Sequence, residues 1–252
     1  MPLYKTEALV LRTYKLAEAD RIVVFLTRDR GKKRGVANGA RRPRSRFAAA
    51  LEPLTRAGVG YYEREQRDLV RLSYAETLQS PLAASRPDAL AHVEYFAELL
   101  DEWAPEGDPN ERLFRLGASV LDALAAGVPT GALARYFEYW LLRLQGVYPP
   151  HLACRACAAP LDGRGGAAWL RPGADAFHCA GCAGGGEGER GGVRLSPAAL
   201  GALAAWSRTG PAALSEVAPP VERELEAAHR TLLSRHLEKD LRSARVLRDL
   251  RR

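Results

Sequence analysis

Cys154, Cys157, Cys179 and Cys182 are the four cysteines of this 252-residue chain, and they fall as two C-x-x-C pairs with 21 residues between them. No other feature constrains the fold as tightly. Two such knuckles brought together place four thiolates around one ion, each pair closing a tight turn. The segment from about 150 to 183 is therefore expected to be a four-cysteine, zinc ribbon-like insertion holding one Zn2+. Four thiolates leave no open position for water, so the ion is expected to be structural. Gly181, inside the second knuckle, gives the backbone freedom to turn. His151 and His178 stand beside the knuckles and are read as bystanders. A redox use of C-x-x-C needs a thioredoxin-like βαβ setting, which this sequence does not offer.

The rest of the chain changes texture near Pro81. Before it, five short runs rich in Val, Leu and Tyr alternate in polarity and are punctuated by Gly and Asp: TEALVLRTYKL, RIVVFLTR, KRGVANGA, LTRAGVGYYER and DLVRLSYAETL. Five strands in about eighty residues suit a small closed barrel, because closure removes exposed edges. Strand count alone does not separate an OB-fold from an SH3-like barrel. After Pro81 the apolar period becomes helical. DALAHVEYFAELLDEWA, NERLFRLGASVLDALAAG and TGALARYFEYWLLRLQG read as three helices with apolar and aromatic core faces. AGGGEGERGG reads as a mobile loop. SPAALGALAAWSR and the long PPVERELEAAHRTLLSRHLEKDLRSARVL read as two more helices, the first opened by Ser196 as cap and Pro197 at the first position. The expected organisation is α+β and multidomain: a barrel over 1–80, a helical domain over 81–150 and 186–252, and the cysteine insertion over 151–185.

The net charge of +7 is unevenly spread. From Arg28 to Arg46 nine basic residues face one acid, Asp29, so this window alone exceeds the excess of the whole chain. It centres on GKKRGVANGARRPRSR, residues 31–46, which lies between strands rather than in a tail. Lys32, Lys33, Arg34, Arg41, Arg42, Arg44 and Arg46 are the expected phosphate contacts of a nucleic-acid-binding surface. Gly31, Gly35 and Gly39 are read as allowing close approach of backbone to phosphate. Phe47, Tyr61 and Tyr62 are candidate stacking partners, although each also suits the core and Phe47 suits it best.

No G-x-x-x-x-G-K-[ST] occurs, which excludes a P-loop nucleotide site. The letters of a dinucleotide fingerprint at Gly163–Ala168 lack a preceding strand and lie between the cysteine pairs. No catalytic constellation is legible, and the chain is not expected to be an enzyme. No apolar run is long enough for a membrane span, and the start lacks a signal-peptide core. The expected location is cytoplasmic, with the nucleoid.

The segment ALVLRTYKLAEADRIVVFLTRDRGKKRGVANGARRPRSRFAAALEPL resembles the N-terminal domain of the RecO family of bacterial recombination mediators. The likeness is carried by the opening strand Ala8–Arg12, by Glu18 and Asp20, and by Thr27 ahead of Gly31-Lys32. It continues through Gly39-Ala40-Arg41-Arg42, Ser45-Arg46-Phe47 and Leu51-Glu52-Pro53. It extends along Leu69–Leu78, the helices and the four cysteines, and fades over the last fifty residues. The resemblance implies an OB-fold, a helical domain and a zinc-binding insertion. It implies binding of single- and double-stranded DNA, annealing of complementary strands and help in loading RecA onto DNA covered by single-strand-binding protein. The implied partners are RecR and the acidic C-terminal tail of single-strand-binding protein, with Arg135, Arg143 or Arg155 as candidate tail contacts. Because some relatives lack the cysteines, it implies a scaffolding zinc. Two other classes compete: an RNA-binding, ribosome-associated protein with a basic barrel and zinc ribbon, and a structural adaptor whose basic run only confers solubility.

Overall fold

The structure, a computed structural model, describes residues 2–64, 68–84, 86–149, 152–170, 176–183 and 192–250. Most of the Gly-rich run after Ala183, and His151, lie outside the described residues. The chain forms two compact units, one of residues 1–127 with 241–252 and one of residues 128–240.

The first unit is built on five strands: β1 (Leu3–Leu16), β2 (Asp20–Thr27), β3 (Lys32–Ala37), β4 (Arg56–Tyr62) and β5 (Val70–Gln79). They close into a barrel in the order β1-β2-β3-β5-β4. β3 and β5 run parallel, with Gly35 opposite Val70, and the other pairs are antiparallel. This order is that of an OB-fold, which settles the choice between barrels that strand counting leaves open. β1 is long enough to pair with both β2 and β4, and its register shifts between Val10 and Arg12. Alternate residues point inward, so Ala8, Val10, Val23, Phe25, Ala57, Val59, Tyr61 and Leu72 form the core. Phe47 and Leu51, at either end of the short turn Ala48–Leu51, join the same core.

β1 and β2 also bury outward residues: Leu9, Leu11, Val24 and Leu26 are all under 5 % exposed. The reason is that α1 (Pro87–Trp103) packs on β1 and β2, and α2 (Glu111–Ala125) packs on β1. Gly117 of α2 makes room for this contact, since a β-carbon there would press on Leu9 and Leu100. Asn110 caps α2 by accepting from the Leu113 N–H at 3.1 Å. The unit is completed at the far end of the chain by α7 (Arg242–Leu250), which packs on α1. Glu98 of α1 caps α7, accepting from the N–H groups of Arg242 at 3.2 Å and Ser243 at 2.8 Å and from the Ser243 hydroxyl.

The second unit holds α3 (Thr130–Leu144), a small sheet of β6 (Ala168–Leu170), β7 (Phe177–Cys179) and β8 (Val193–Leu195), the short α4 (Ala180–Ala183), and then α5 (Pro197–Trp206) and α6 (Pro219–Leu237). α3, α5 and α6 pack on one another. Ser196 caps α5 as its sequence implies, accepting from the Ala199 N–H at 3.2 Å, with Pro197 following. The long helix expected over 219–247 is in fact two. Glu238 adopts φ +53°, a left-handed conformation that ends α6, and the chain restarts as α7 under the Glu98 cap. Helical periodicity persists through the break, so the pattern hides it.

Arg135, Glu138 and His229 are buried between the helices of this unit. Arg135 binds Glu138 at 2.5 Å and Glu226 at 3.3 Å, and His229 Nδ1 donates to Glu138 at 2.8 Å. Burial, only partly offset by Glu138, pushes the His229 pKa down and favours the neutral imidazole. With its side chain 4 % exposed and spent on two carboxylates, Arg135 is no surface contact for an acidic tail.

Candidate nucleic-acid interface and metal centre

The basic run divides into two kinds of residue. Lys32 and Lys33 lie in β3 and are only 13 % and 15 % exposed along their side chains. Lys32 donates to the Asp101 main-chain oxygen at 2.6 Å, in the last turn of α1, and lies 3.4 Å from its carboxylate. Lys33 is paired with Glu63 at 2.6 Å. By contrast, Arg34, Arg41, Arg42, Arg44 and Arg46 are exposed.

The loop that carries the last four is anchored. Asp20, at the start of β2, accepts from the Gly39 N–H at 2.7 Å. The Arg41 N–H donates to the Ala19 oxygen at 2.9 Å, and the Arg41 guanidinium reaches the carbonyls of Ala17 and Glu18 at 3.0 and 2.9 Å. Ser45 accepts from the Phe47 N–H at 3.2 Å as the chain turns into the core. Arg46 lies over the buried Phe47 ring at 5.0 Å. A fixed loop beside the β1–β2 turn thus presents several guanidinium groups.

Two glycines do a different job from the one expected. A β-carbon at Gly31 (φ +69°) would overlap the Asp108 backbone. Here the α1–α2 connection lies along the start of β3, with the Lys32 N–H donating to Pro105 and the Gly107 N–H to Lys32, each at 3.0 Å. Gly35 faces inward, and a β-carbon there would strike Leu72 and Val70. Both positions are closed by protein rather than open to phosphate; Gly39 (φ +72°) serves the anchored turn. Thr27 also finds a local role, its hydroxyl donating to the Gly31 oxygen at 2.7 Å and accepting from the Arg30 N–H at 2.9 Å.

Of the aromatic candidates, Phe47 and Tyr61 are core, 1 % and 0 % exposed. Tyr62 is half-buried with Arg71 over its ring at 5.0 Å, and Arg30 lies over Tyr4 at 4.0 Å. Sequence reading missed Arg71 and Tyr4. Their only signal is strand alternation, which puts Arg71 opposite Tyr62 once the β4–β5 register is known.

The four cysteine sulfurs converge: all lie within 4.8 Å of one another, and Cys157 and Cys179 are 3.8 Å apart. Tetrahedral thiolate coordination at a metal–sulfur length near 2.3 Å requires sulfur separations of roughly 3.8 Å. The elements explain the convergence. The first knuckle is a tight turn in which the Ala158 N–H donates to the Cys154 oxygen at 2.8 Å, with Ala158 at φ +58°. It is fastened to β7 by the Arg155 N–H on the Phe177 oxygen at 2.9 Å. The second knuckle runs from the end of β7 into α4.

Burial raises the Cys154 thiol pKa, but the N–H groups of Cys179, Cys157 and Ala156 outweigh it and bring it down to about 6. Bonds with Cys179, Cys157 and Cys154 instead hold Cys182 protonated, pushed up to about 12. Four crowded thiols carry one negative charge easily and resist the next, and a cation at their centre removes that resistance. The donor set therefore fits a metal ion. His178 points away from it: Phe177 and Cys179 share one face of β7, and His178 takes the other. Among the described residues no helix is long and apolar enough to cross a membrane.

An OB-type barrel with an anchored arginine loop, and a second unit that holds helices and a four-cysteine centre, agree with comparison to known proteins. Residues 1–81 match the family model described as Recombination protein O N terminal, and residues 84–245 match Recombination protein O C terminal. Proteins called DNA repair protein RecO are similar over most of their length. That of Anaeromyxobacter sp. (strain K) is 37 % identical over 98 % of this chain and 96 % of its own. That of Geobacter metallireducens is 33 % identical over 98 % and 97 %. That of Koribacter versatilis is 42 % identical over 71 % and 72 %. Both halves of the chain match in order, and the first two of these relatives are covered nearly end to end, so the chain belongs to the RecO family of DNA repair proteins.

Proposed function

We propose that the protein is a recombination mediator that binds single- and double-stranded DNA without sequence preference, anneals complementary strands and helps load RecA onto DNA covered by single-strand-binding protein. The observation that carries this reading is the anchored loop with Arg41, Arg42, Arg44 and Arg46 exposed together. Guanidinium groups on such a surface neutralise phosphates and release counterions whatever the base sequence. Neutralising two strands at once lowers their mutual repulsion, which is the barrier to pairing. In this reading Arg34 extends the surface along β3. Lys32 and Lys33 hold it in place through Asp101 and Glu63, and lend charge rather than direct contacts.

The four cysteines take Zn2+, which suits a set of four thiolates better than hard-oxygen metals do. The ion supplies cross-linking of the two knuckles and no reaction. The acidic tail of single-strand-binding protein meets the helical part, where Arg143 lies over Trp140 at 5.0 Å and offers a basic, aromatic surface. RecR is the further partner of this reading, and RecA is reached indirectly.

A salt titration of binding to oligo-dT and to a structured RNA tests the proposal. Tighter binding to the DNA, with a steep inverse salt dependence, is the expected result. Preference for the RNA supports the ribosome-associated alternative, and no salt-dependent binding to either leaves the loop as a solubility device.

A further inference from the structure

The small sheet of the second unit has one face buried and one face partly exposed. Ala168, Leu170, Phe177, Val193 and Leu195 point inward and are at most 5 % exposed. The residues between them point outward, and the register aligns them: His178 on β7 is opposite Trp169 on β6, and Trp169 is opposite Arg194 on β8. Arg194 lies over the Trp169 ring at 5.7 Å and is exposed, while Trp169 and His178 are half-buried. On the far edge of β7 stands Arg155, exposed, its N–H fastened to Phe177. Two planar rings thus stand in register across the sheet with the exposed Arg194 on one side, and Arg155 belongs to the segment fastened to the outer edge of β7, on the side of β7 turned away from the cysteines. His178 Nδ1 is moreover a buried nitrogen with no hydrogen-bond partner among the described residues.

We infer that this row is a second contact for single-stranded nucleic acid, in which an unpaired base stacks on Trp169 beside His178 and the flanking phosphates lie against Arg194 and Arg155. The inference rests on the reading of the protein as one that binds single strands, and adds a site on the ribbon to the one on the barrel. Three observations favour a nucleic acid over a peptide. The two rings stand at paired positions of adjacent strands on one sheet face. The charges flanking them are both positive. An aromatic under a guanidinium is the pairing that stacks any base, because every base has a π-face. The row discriminates between strands: bases in a duplex are already stacked on their neighbours, so only a single strand can offer one to Trp169.

The test uses the full-length, metal-loaded protein and labelled oligo-dT. Trp169→Ala is expected to weaken binding to oligo-dT about tenfold, the loss of one stacked base, while leaving the salt dependence unchanged. Binding to a duplex of equal length is expected to stay the same. Arg194→Ala should instead flatten the slope of log K against log salt by about 0.7, the signature of one lost phosphate contact. Photo-crosslinking of oligo-dT carrying 5-iodouracil to the unaltered protein avoids any folding defect in the variants, and is expected to label Trp169 or His178. If the wild-type protein binds oligo-dT but crosslinks only through the barrel, or if Trp169→Ala weakens single strand and duplex alike, the ribbon site is overturned and the row is left to a protein partner. If the wild-type protein binds no oligo-dT at all, the underlying function fails with it.

Discussion

Lys32 Nζ sits 2.6 Å from the main-chain oxygen of Asp101, joining a β3 residue to the last turn of α1. An ammonium at a helix C-terminus satisfies a carbonyl that has no partner within the helix and opposes the negative end of its dipole. Because this bond is largely buried, Lys32→Ala should cost about 1.5–3 kcal/mol of stability, the range for a hydrogen bond to a charged group. Thermal unfolding should register the loss. The salt dependence of DNA binding should barely move, because the ammonium is already committed to protein oxygens. A variant with wild-type stability and a flattened salt slope would place Lys32 on the nucleic acid instead.

Removing one metal ligand separates scaffold from contact. Cys154 is the buried member of the cysteine set, and its sulfur also accepts from the Cys179 N–H at 3.4 Å. Cys154→Ser should abolish stoichiometric zinc, measured by elemental analysis, and lower the melting temperature of the second unit. The salt slope contributed by the barrel loop should survive. Purified wild-type protein with no metal would sink the zinc assignment.

The barrel was legible because its inward residues repeat every second position, and closure is the simplest end for five short strands. The cysteine centre was legible because two knuckles have few other uses. What the sequence hid were the places where one symbol serves two physical tasks. Gly31 and Gly35 read as openings for phosphate, yet one is filled by the Asp108 backbone and the other by Leu72 and Val70. Arg135 reads as a surface charge, yet it is 3 % exposed because Glu138 and Glu226 converge on it from α3 and α6. Lys32 looks the same as Arg42 until α1 is known to end beside it. Each depends on a partner that only the folded chain brings close, and local pattern carries no information about such pairs. The split between α6 and α7 is hidden differently, since it rests on a left-handed Glu238, a residue type with no special liking for that conformation.

His229 gives the second unit a pH dependence. Its imidazole is fully buried beside Glu138, Arg135 and the Tyr148 ring, and burial holds its pKa below the value of about 6.5 that a histidine has in the unfolded chain. The unfolded chain therefore takes up a proton that the folded chain resists. Stability from this group is complete above pH about 6.5 and is lost as pH falls from there through the lower folded value. Melting curves across this window should show the second unit weakening on acidification, and His229→Gln should flatten the trend. A melting temperature that rises on acidification would mean that the Glu138 carboxylate holds His229 charged.

The arginine loop yields the prediction on which the proposed function stands. Arg42, Arg44 and Arg46 are exposed, and neither Arg42 nor Arg44 takes part in the anchoring that the Arg41 guanidinium provides. Replacing the three with Ala should leave thermal stability nearly unchanged, because exposed charges contribute little to folding. If each touches a phosphate of single-stranded DNA, it contributes about 0.7 to the slope of log K against log salt, so the triple variant should lose roughly 2 units. The loss should be similar on every base sequence, since phosphates carry no sequence information. Strand annealing should fall in step, because it draws on the same neutralisation. Arg41 is left in place: its guanidinium holds the loop to the Ala17 and Glu18 carbonyls, and Arg41→Ala would mix a loosened loop with a lost contact. A folded triple variant that keeps its full salt slope would move the DNA surface off this loop altogether.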